Sequence, residues 1–481
     1  MIRRFLKDSV IYGVGHVLSR AVAFILIPFY TRALSPSDYG VMDMIMMFAS
    51  IACTLVPMEI SQAFSRFFSG TDSVSDKRQY ATIMLLFSLT MYGVFGIVTF
   101  SLSDPLSFRL TGSSEAVSAF QVGILYTIVM GLFYLIQTQL RWKLQSVYYS
   151  AISLLSALLV SLFSALFVLG FKMGVLGLLW GGVLGYVVGI IAGLPGVVRD
   201  YRWGFDGKKF REMMSYSSPL LIMQVGLLTT NFFDRWAIRS LMSLDDVGIY
   251  GVGYRFASVV QIIFIGLQSS ISPLILTYYR EAATAGEIAK IFRIFSTFAL
   301  IFLLFLGVFA REVVAFTTAS AYHQAYQCIF PLALMMVFYA FDVFSPGIEI
   351  SKKTRIRALL CVMGAILNIT LNYLLIPFLG ISGASIASML GALAVLVGAI
   401  LISQKLYFVP YAFGRPALAL LIVCVVVLSF ELNPWEVETW VWLTVKAFIV
   451  IMGSLGLFGL LWSPEERAAL INRLRIRRTS S

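Results

Sequence analysis

Charged side chains lie inside several long apolar segments of this 481-residue sequence, where they are costly and therefore informative. A charge near the middle of a membrane-spanning helix costs about 2.5 to 3.5 kcal/mol on insertion scales. A guanidinium keeps its charge there and can hold phosphate oxygens through two parallel hydrogen bonds. We therefore predict that six basic side chains form a binding site for an anionic, phosphate-bearing substrate: Arg20, Arg235, Arg255, His16, Arg32 and Arg239.

Structural roles are the alternative for several of these cations. Arg235 could pair with a carboxylate on a neighbouring helix. Arg32 and Arg239 stand at the ends of apolar segments, from which long side chains reach the polar interface. His16 lies one helical turn before Arg20, and a hydrogen-bonded packing role stays open for it.

Three carboxylates in apolar segments predict a second kind of site. Glu59, Asp234 and Asp342 could take up H⁺ or bind Na⁺, and so couple the movement of a substrate to an ion gradient. The alternative for each is a structural ion pair with one of the arginines.

The sequence offers no constellation for bond chemistry. Gly13-x-Gly15 is too short for a dinucleotide fingerprint, and no nucleotide loop or activated nucleophile is recognisable. The four cysteines are scattered without CxxC spacing, so neither a metal site nor a disulfide framework is indicated: Cys53, Cys328, Cys361 and Cys424. We therefore expect a transporter rather than an enzyme, with no cofactor and no catalytic residue.

The composition places the chain in a membrane. It is 59% hydrophobic and 12% charged, with a mean hydropathy of +0.89. A helix needs about 20 apolar residues to cross a bilayer, and the sequence supplies about fourteen such runs, of which the thirteenth is the weakest. They lie near residues 10–33, 41–64, 81–100, 117–139, 149–170, 174–197, 216–240, 248–275, 294–310, 327–346, 358–379, 384–402, 416–432 and 440–461.

The net charge of +12 is explained by topology rather than by nucleic acid. Lys and Arg collect in alternate connections between the runs, as they do on the cytoplasmic side of membrane proteins. Both termini are therefore predicted in the cytoplasm, which requires an even number of spans. The first run contains Arg20 and lacks a small-residue cleavage pattern, so we expect it to remain as a helix rather than to be removed as a signal peptide.

Short matches at one spacing indicate an internal repeat. Arg32-Ala33-Leu34 leads to Gly40 and Phe48-Ala49-Ser50 as Arg239-Ser240-Leu241 leads to Gly248 and Phe256-Ala257-Ser258, at offsets of 207 and 208. Gly174-Val175-Leu176-Gly177 is echoed by Gly380-Ile381-Ser382-Gly383 at an offset of 206. Because six spans are an even number, the two halves are parallel, as in transporters whose two bundles rock about a shared site.

The repeat predicts an all-α polytopic protein with two six-helix lobes and two added helices. The divisions are 1–198 for the N-terminal lobe, 199–212 for a cytoplasmic linker, 213–403 for the C-terminal lobe, 404–464 for the added helices and 465–481 for a basic cytoplasmic tail. Most of the charges inside runs fall in the repeat-equivalent runs one, two, seven and eight. We expect these four helices to surround a polar substrate chamber.

The segment from Asp8 to Gly40, DSVIYGVGHVLSRAVAFILIPFYTRALSPSDYG, resembles the opening of Wzx-type polysaccharide flippases. Its most specific part is Pro28-Phe29-Tyr30-Thr31-Arg32-Ala33-Leu34-Ser35-Pro36 followed by Asp38-Tyr39-Gly40. These flippases belong to the polysaccharide transporter family of the multidrug/oligosaccharidyl-lipid/polysaccharide exporter (MOP) superfamily.

The resemblance implies a cationic central cavity and alternating access. The implied substrate is an undecaprenyl-pyrophosphate-linked glycan, such as an O-antigen repeat unit for lipopolysaccharide, carried to the periplasmic leaflet of the bacterial inner membrane. It also implies that the two added helices cradle the polyprenyl chain, as in lipid II flippases. Membrane lipids, a glycan polymerase and chain-length machinery are the implied partners.

Three other functions stay open at this point. A drug or metabolite exporter of the same superfamily would share the architecture but favour cationic substrates through cavity carboxylates. A membrane glycan polymerase or ligase would need a large periplasmic loop, whereas the predicted loops are short. A scaffold that binds lipid-linked precursors without moving them would differ only in activity.

Overall fold

The computed structural model describes residues 24–202, 204–261, 278–281, 283–351, 353–432 and 439–462, with the single positions 22, 264, 271 and 275. In these ranges the chain is almost entirely helical and contains no strand. We number the α-helices in chain order as α1 Ile27–Ala33, α2 Pro36–Leu55, α3 Ile60–Ser69, α4 Val74–Ser101, α5 Ser103–Thr111, α6 Val117–Trp142, α7 Ser146–Ala165, α8 Gly174–Val197, α9 Gly207–Leu241, α10 Leu244–Ala257, α11 Thr284–Thr317, α12 Tyr326–Phe341, α13 Pro346–Ile350, α14 Thr354–Leu406, α15 Gly414–Leu432 and α16 Thr439–Leu461.

Local sequence explains where several helices begin. Ser35 and Asp38 form a reciprocal capping box at the start of α2, and Pro36 occupies the first helical position. Ser73 accepts a hydrogen bond from the Asp76 backbone at the start of α4. Asp206 accepts from the backbones of Lys208 and Lys209 at the start of α9.

The predicted apolar runs correspond to these helices. Within the described ranges, ten helical segments are long and apolar enough to cross a membrane. One of them, α14, covers runs eleven and twelve, because its backbone leaves helical geometry at Gly380. Runs one, seven and eight overlap α1, α9 and α10. The all-α, polytopic prediction is confirmed.

The repeat is visible in the backbone as well as in the sequence. Gly174 starts α8 with a φ of 57°, and its counterpart Gly380 breaks α14 with a φ of 58°. Both values lie in the left-handed region that glycine occupies without a steric cost. A glycine with a positive φ therefore stands at the start of the sixth span and at the start of the twelfth.

Close helix packing accounts for the glycine stripe of α8. A Cβ at Gly181 would collide with the backbone of Ser164, and one at Gly185 would collide with the backbone of Val160. Small residues let α7 and α8 approach to backbone contact, which stabilises helix pairs in lipid.

The chain forms two compact units. The first comprises residues 1–256, 317–325 and 361–391, and the second comprises 257–316, 326–360 and 392–481. In the first unit α9 packs against α2 and α3. The predicted lobe, linker and tail boundaries stay predictions.

The segment after α8 is docked within the first unit by polar contacts. Asp200 forms an ion pair with Lys143 at 2.6 Å, and the Tyr201 hydroxyl donates to Gln139 at 2.8 Å. The Arg202 backbone donates to the Thr82 hydroxyl at 2.9 Å. The predicted linker is thus fastened to α4 and to the end of α6.

Candidate functional site

Asp234 lies in α9 with 2% of its surface exposed, and neutral donors surround its carboxylate. The Tyr250 hydroxyl donates to Oδ2 at 2.7 Å, and the Ser388 hydroxyl donates to the same oxygen at 2.5 Å. The amides of Asn372 and Asn368 donate to Oδ1 at 3.0 and 3.3 Å. These bonds offset much of the cost of burying the carboxylate, and they join α9, α10 and α14 in the first unit.

One atom beside Asp234 is not satisfied. Oδ1 of Asn372 is buried and has no hydrogen-bond partner among the described residues. Carboxylate, amide and hydroxyl oxygens are the ligands that hard cations prefer. In the described part of the chain, no three His, Cys, Asp or Glu residues come together to hold a metal ion. The described neighbours of the Asp234 carboxylate are thus neutral hydrogen-bond donors.

The next residue, Arg235, points to a different partner. Its Nε donates to Oδ2 of Asp43 in α2 at 2.6 Å, and both side chains are nearly buried. Its guanidinium also lies 4.4 Å from the ring centroid of Tyr254 and 5.7 Å from that of Tyr250. This ion pair links the second and seventh predicted spans, and it engages Arg235 in a structural contact within the first unit.

Arg255 in α10 is only half-buried. Its guanidinium lies 5.0 Å from the ring centroid of Tyr39, and one of its nitrogens lies 3.8 Å from the sulfur of Met46 and 4.0 Å from that of Met42. An aromatic face and two thioethers thus pack against the side chain.

Glu59 sits at a break in the second span. Met58 and Glu59 have φ values of 47° and 52°, which are unusual for residues with side chains, and they separate α2 from α3. The Glu59 side chain is nearly buried and accepts a hydrogen bond from Gln224 of α9 at 3.0 Å. Strained, discontinuous helices of this kind are typical of binding sites in membrane transporters.

Two more of the predicted residues, Arg239 and Arg32, lie at helix ends. Arg239 donates to the carbonyl of Thr111 at 2.7 Å, so it completes the end of α5. Arg32 is exposed in the last turn of α1. Arg20 and His16 lie outside the described residues.

Asp342 belongs to a separate cluster in the second unit. It forms an ion pair and a hydrogen bond with Arg357, whose guanidinium also lies 3.4 Å from Glu349. Burial raises the pKa of the Glu349 carboxyl. The Asp342 carboxylate thus has the ion pair with an arginine that was the alternative to ion coupling.

Most partners of Asp234 carry no charge and were not among the residues predicted from the sequence. Asn368, Asn372, Ser388 and Tyr250 are neutral, and a search for charges inside apolar runs passes over neutral residues. One signal was present: Asn368 and Asn372 stand one helical turn apart in an otherwise apolar run, which places two amides on one helix face.

Comparison with known proteins gives one curated relative that spans most of the chain. It is an uncharacterised membrane protein of Methanocaldococcus jannaschii, 24% identical over 418 residues, which are 81% of this chain and 95% of the relative.

Two solved structures share the fold. The lipid II flippase MurJ in an inward closed conformation aligns with a TM-score of 0.72 at 13% identity, over 93% of this chain and 98% of that one. An inward-facing multidrug resistance MATE transporter of the MOP superfamily aligns with a TM-score of 0.61 at 16% identity, over 84% and 93%. At these identities the likeness establishes the architecture.

The family follows from a match to the sequence itself. The model of the family described as polysaccharide biosynthesis protein matches residues 5–279, more than half of the chain. This range includes Asp43, Asp234, Arg235 and Arg255. The chain is a multi-pass membrane protein that belongs to the polysaccharide biosynthesis protein family and has the fold of MOP-superfamily transporters.

Proposed function

We propose that this protein is a flippase for an undecaprenyl-pyrophosphate-linked oligosaccharide, such as an O-antigen repeat unit. It would carry the lipid from the cytoplasmic to the periplasmic leaflet of a bacterial inner membrane by alternating access, with both termini in the cytoplasm. Family membership and a flippase fold support a lipid-linked glycan as the cargo. A glycan polymerase and chain-length machinery would use the product on the far side.

Arg255 is the observation that carries the phosphate part of this proposal. Arg255 is half-buried in a helix of the first unit, and a guanidinium suits a pyrophosphate better than a cationic drug. Arg235 forms an ion pair with Asp43. We assign Arg255 direct contact with the pyrophosphate and Arg235 the support of the helices around it.

The last two helices are suited to the polyprenyl chain. An apolar cavity of about 290 Å³ lies among α11, α15 and α16, with Leu304, Val426 and Leu457 in its lining. Large apolar side chains also cover the outer faces of α15 and α16, among them Leu421, Phe448 and Leu455. A hydrocarbon tail can remain against these surfaces while the polar head crosses through the protein.

Asp234 is our candidate for energy coupling. Its carboxylate, with the unsatisfied Oδ1 of Asn372 beside it, is the described group whose surroundings best fit H⁺ or Na⁺. Asp342 is paired with Arg357 and is the weaker candidate. Glu59 remains a candidate for energy coupling, because its position at a helix break is typical of transporter sites.

Leaflet-resolved flipping of a fluorescent undecaprenyl-pyrophosphate glycan in proteoliposomes tests the proposal. We expect flipping by the wild type, loss of about tenfold or more in Arg255→Ala, and nearly normal flipping by the control Arg109→Ala, whose side chain is exposed in α5 and is not among the predicted site residues. Normal flipping by Arg255→Ala would remove this residue from substrate binding. Failure of the wild type with several glycans, together with export of cationic drugs, would establish the exporter function instead.

A further inference from the structure

Two helices of the first unit begin with the same motif. Ser35 and Asp38 cap α2, with Oγ of Ser35 donating to Oδ2 of Asp38 at 2.8 Å. Ser243 and Asp246 make the same bond at the start of α10, at 2.6 Å. The two pairs are 208 residues apart, which is one of the offsets of the internal repeat.

Each motif is followed by a glycine, Gly40 in α2 and Gly248 in α10. Each of these glycines contacts the backbone of the other helix. A Cβ at Gly40 would collide with the carbonyl oxygen of Leu244, and a Cβ at Gly248 would collide with the carbonyl oxygen of Pro36. Pro36 and Leu244 are themselves 208 residues apart, so the contact is the same when the two helices are exchanged. The pseudo-twofold axis of the parallel repeat therefore passes through this crossing.

The surrounding contacts close the same end of the first unit. The hydroxyl of Tyr322, in the connection between α11 and α12, donates to the carbonyl of Leu34 at 2.9 Å. The Tyr322 ring packs edge-on against Tyr39, with centroids 5.8 Å apart. Arg239, near the end of α9, binds the carbonyl of Thr111. By span count, these connections all lie on the side opposite the predicted cytoplasmic termini.

We propose that the Gly40–Gly248 crossing of α2 and α10 is the outer gate of the transport pathway. Backbone contact without side chains seals this end tightly, and the Asp43–Arg235 ion pair between α2 and α9 lies one helical turn further along α2. Tyr322 and Arg239 would close the gate further around the crossing. This assignment rests on the proposed function, because a gate matters only in a protein that transports.

Glycine substitution tests the gate without any transport assay. The full chain with its four native cysteines replaced would carry Met46→Cys, six residues and about 9 Å beyond Gly40 along α2. A membrane-impermeant maleimide, added from the outside, would report whether this position is accessible. Gly40→Ala and Gly248→Ala would each be compared with Gly93→Ala, where a Cβ meets no described atom within 4 Å.

We expect the two gate variants to label about tenfold faster than the parent, because backbone atoms cannot move aside as a side chain would. Gly93→Ala should label at the parental rate. Equal labelling in all variants, with the protein remaining monodisperse, would overturn the proposal.

A second measurement covers the case in which the alanine variants fail to fold. Ser37→Cys and Leu244→Cys in one chain would be joined by a reducible bifunctional thiol reagent. We expect outside labelling of a third cysteine at Met46 to stop when the helix starts are joined and to return after reduction. Unchanged labelling would exclude the gate, whereas changed labelling without any glycan flipping would retain the gate and reject the proposed cargo.

Discussion

Nε of Arg235 and Oδ2 of Asp43 lie 2.6 Å apart, and both side chains are nearly buried. This ion pair connects α9 to α2. The neighbouring carboxylate of Asp234 faces the other way, into the amides and hydroxyls of α10 and α14. Two adjacent charged residues of α9 thus serve two different sites. The first site is a structural ion pair, and the second is a buried carboxylate that accepts hydrogen bonds from four neutral side chains.

Loss of Asp43 should destabilise the protein severely. Asp43→Asn leaves the Arg235 charge buried without its counterion, which typically costs 3 to 5 kcal/mol, or about 4 kcal/mol here. Denaturant unfolding in detergent would measure it. Glu349→Gln is the control, since the Glu349 side chain is 46% exposed and its 3.4 Å ion pair with Arg357 should contribute at most about 1 kcal/mol. Equal losses in both variants would show that the Arg235 charge reaches water or another partner.

Sodium should stabilise the wild type through Asp234 if Na⁺ is the coupling ion. A ligand at 100 times its dissociation constant adds about 2.7 kcal/mol to stability. Thermal unfolding in NaCl and in choline chloride would detect this, and we expect the difference to vanish in Asp234→Asn. Asp342→Asn, in the other unit, should keep it. A sodium effect that survives in Asp234→Asn would place the ion elsewhere, and its absence from the wild type would leave H⁺ as the ion to test.

A side chain at position 112 should destabilise the protein. Its φ is 72°, and a Cβ would collide with the guanidinium that Arg239 extends to the end of α5. We expect Gly112→Ala to lose about 1 to 3 kcal/mol of stability. Gly286→Ala, in the open first turn of α11, should be neutral or stabilising. Similar melting temperatures for the two variants would contradict this argument.

The two residues of the ion pair between α16 and α11 should differ in how much stability is lost when each is replaced. Lys446 is 4% exposed and donates to Glu312 at 2.6 Å and to the Val308 carbonyl at 3.0 Å. Glu312 is 25% exposed, but its Oε2 is buried without a hydrogen-bond partner among the described residues, so the side chain must rotate to reach the surface when it is left alone. We expect Glu312→Leu to cost about 3 kcal/mol and Lys446→Met about 1 kcal/mol.

The rate of amide hydrogen exchange along α16 would measure how far each variant destabilises this helix. The Lys446→Met change serves as the matched partner, because it removes the same ion pair from its other end. A larger loss in Lys446→Met than in Glu312→Leu would mean that Glu312, rather than Lys446, is the trapped charge.

Most helices could be predicted from the sequence alone. A membrane span depends on about 20 consecutive apolar residues, which is a local property, and the fourteen runs accordingly overlap the helices found. The repeat was also visible, because Gly174 and Gly380 stand at equivalent positions and both have a positive φ. Helix boundaries were less certain, as at Gly380, where two runs share one helix with a break.

The candidate site was only partly predictable. Asp234, Arg255 and Glu59 were found because charges are conspicuous in apolar runs. The amides around Asp234 were missed because neutral polar residues are common in membrane helices and acquire meaning only in contact.

The sequence by itself determined the membrane class, the parallel repeat, the family and the list of buried charges, since each depends on residue type and spacing along the chain. The tertiary structure alone decided which charge meets which partner: Asp43 for Arg235, amides and hydroxyls for Asp234, Gln224 for Glu59 and Arg357 for Asp342. The physical reason is that an electrostatic contact depends on a distance of a few ångströms between helices, and helix packing sets that distance independently of separation in sequence.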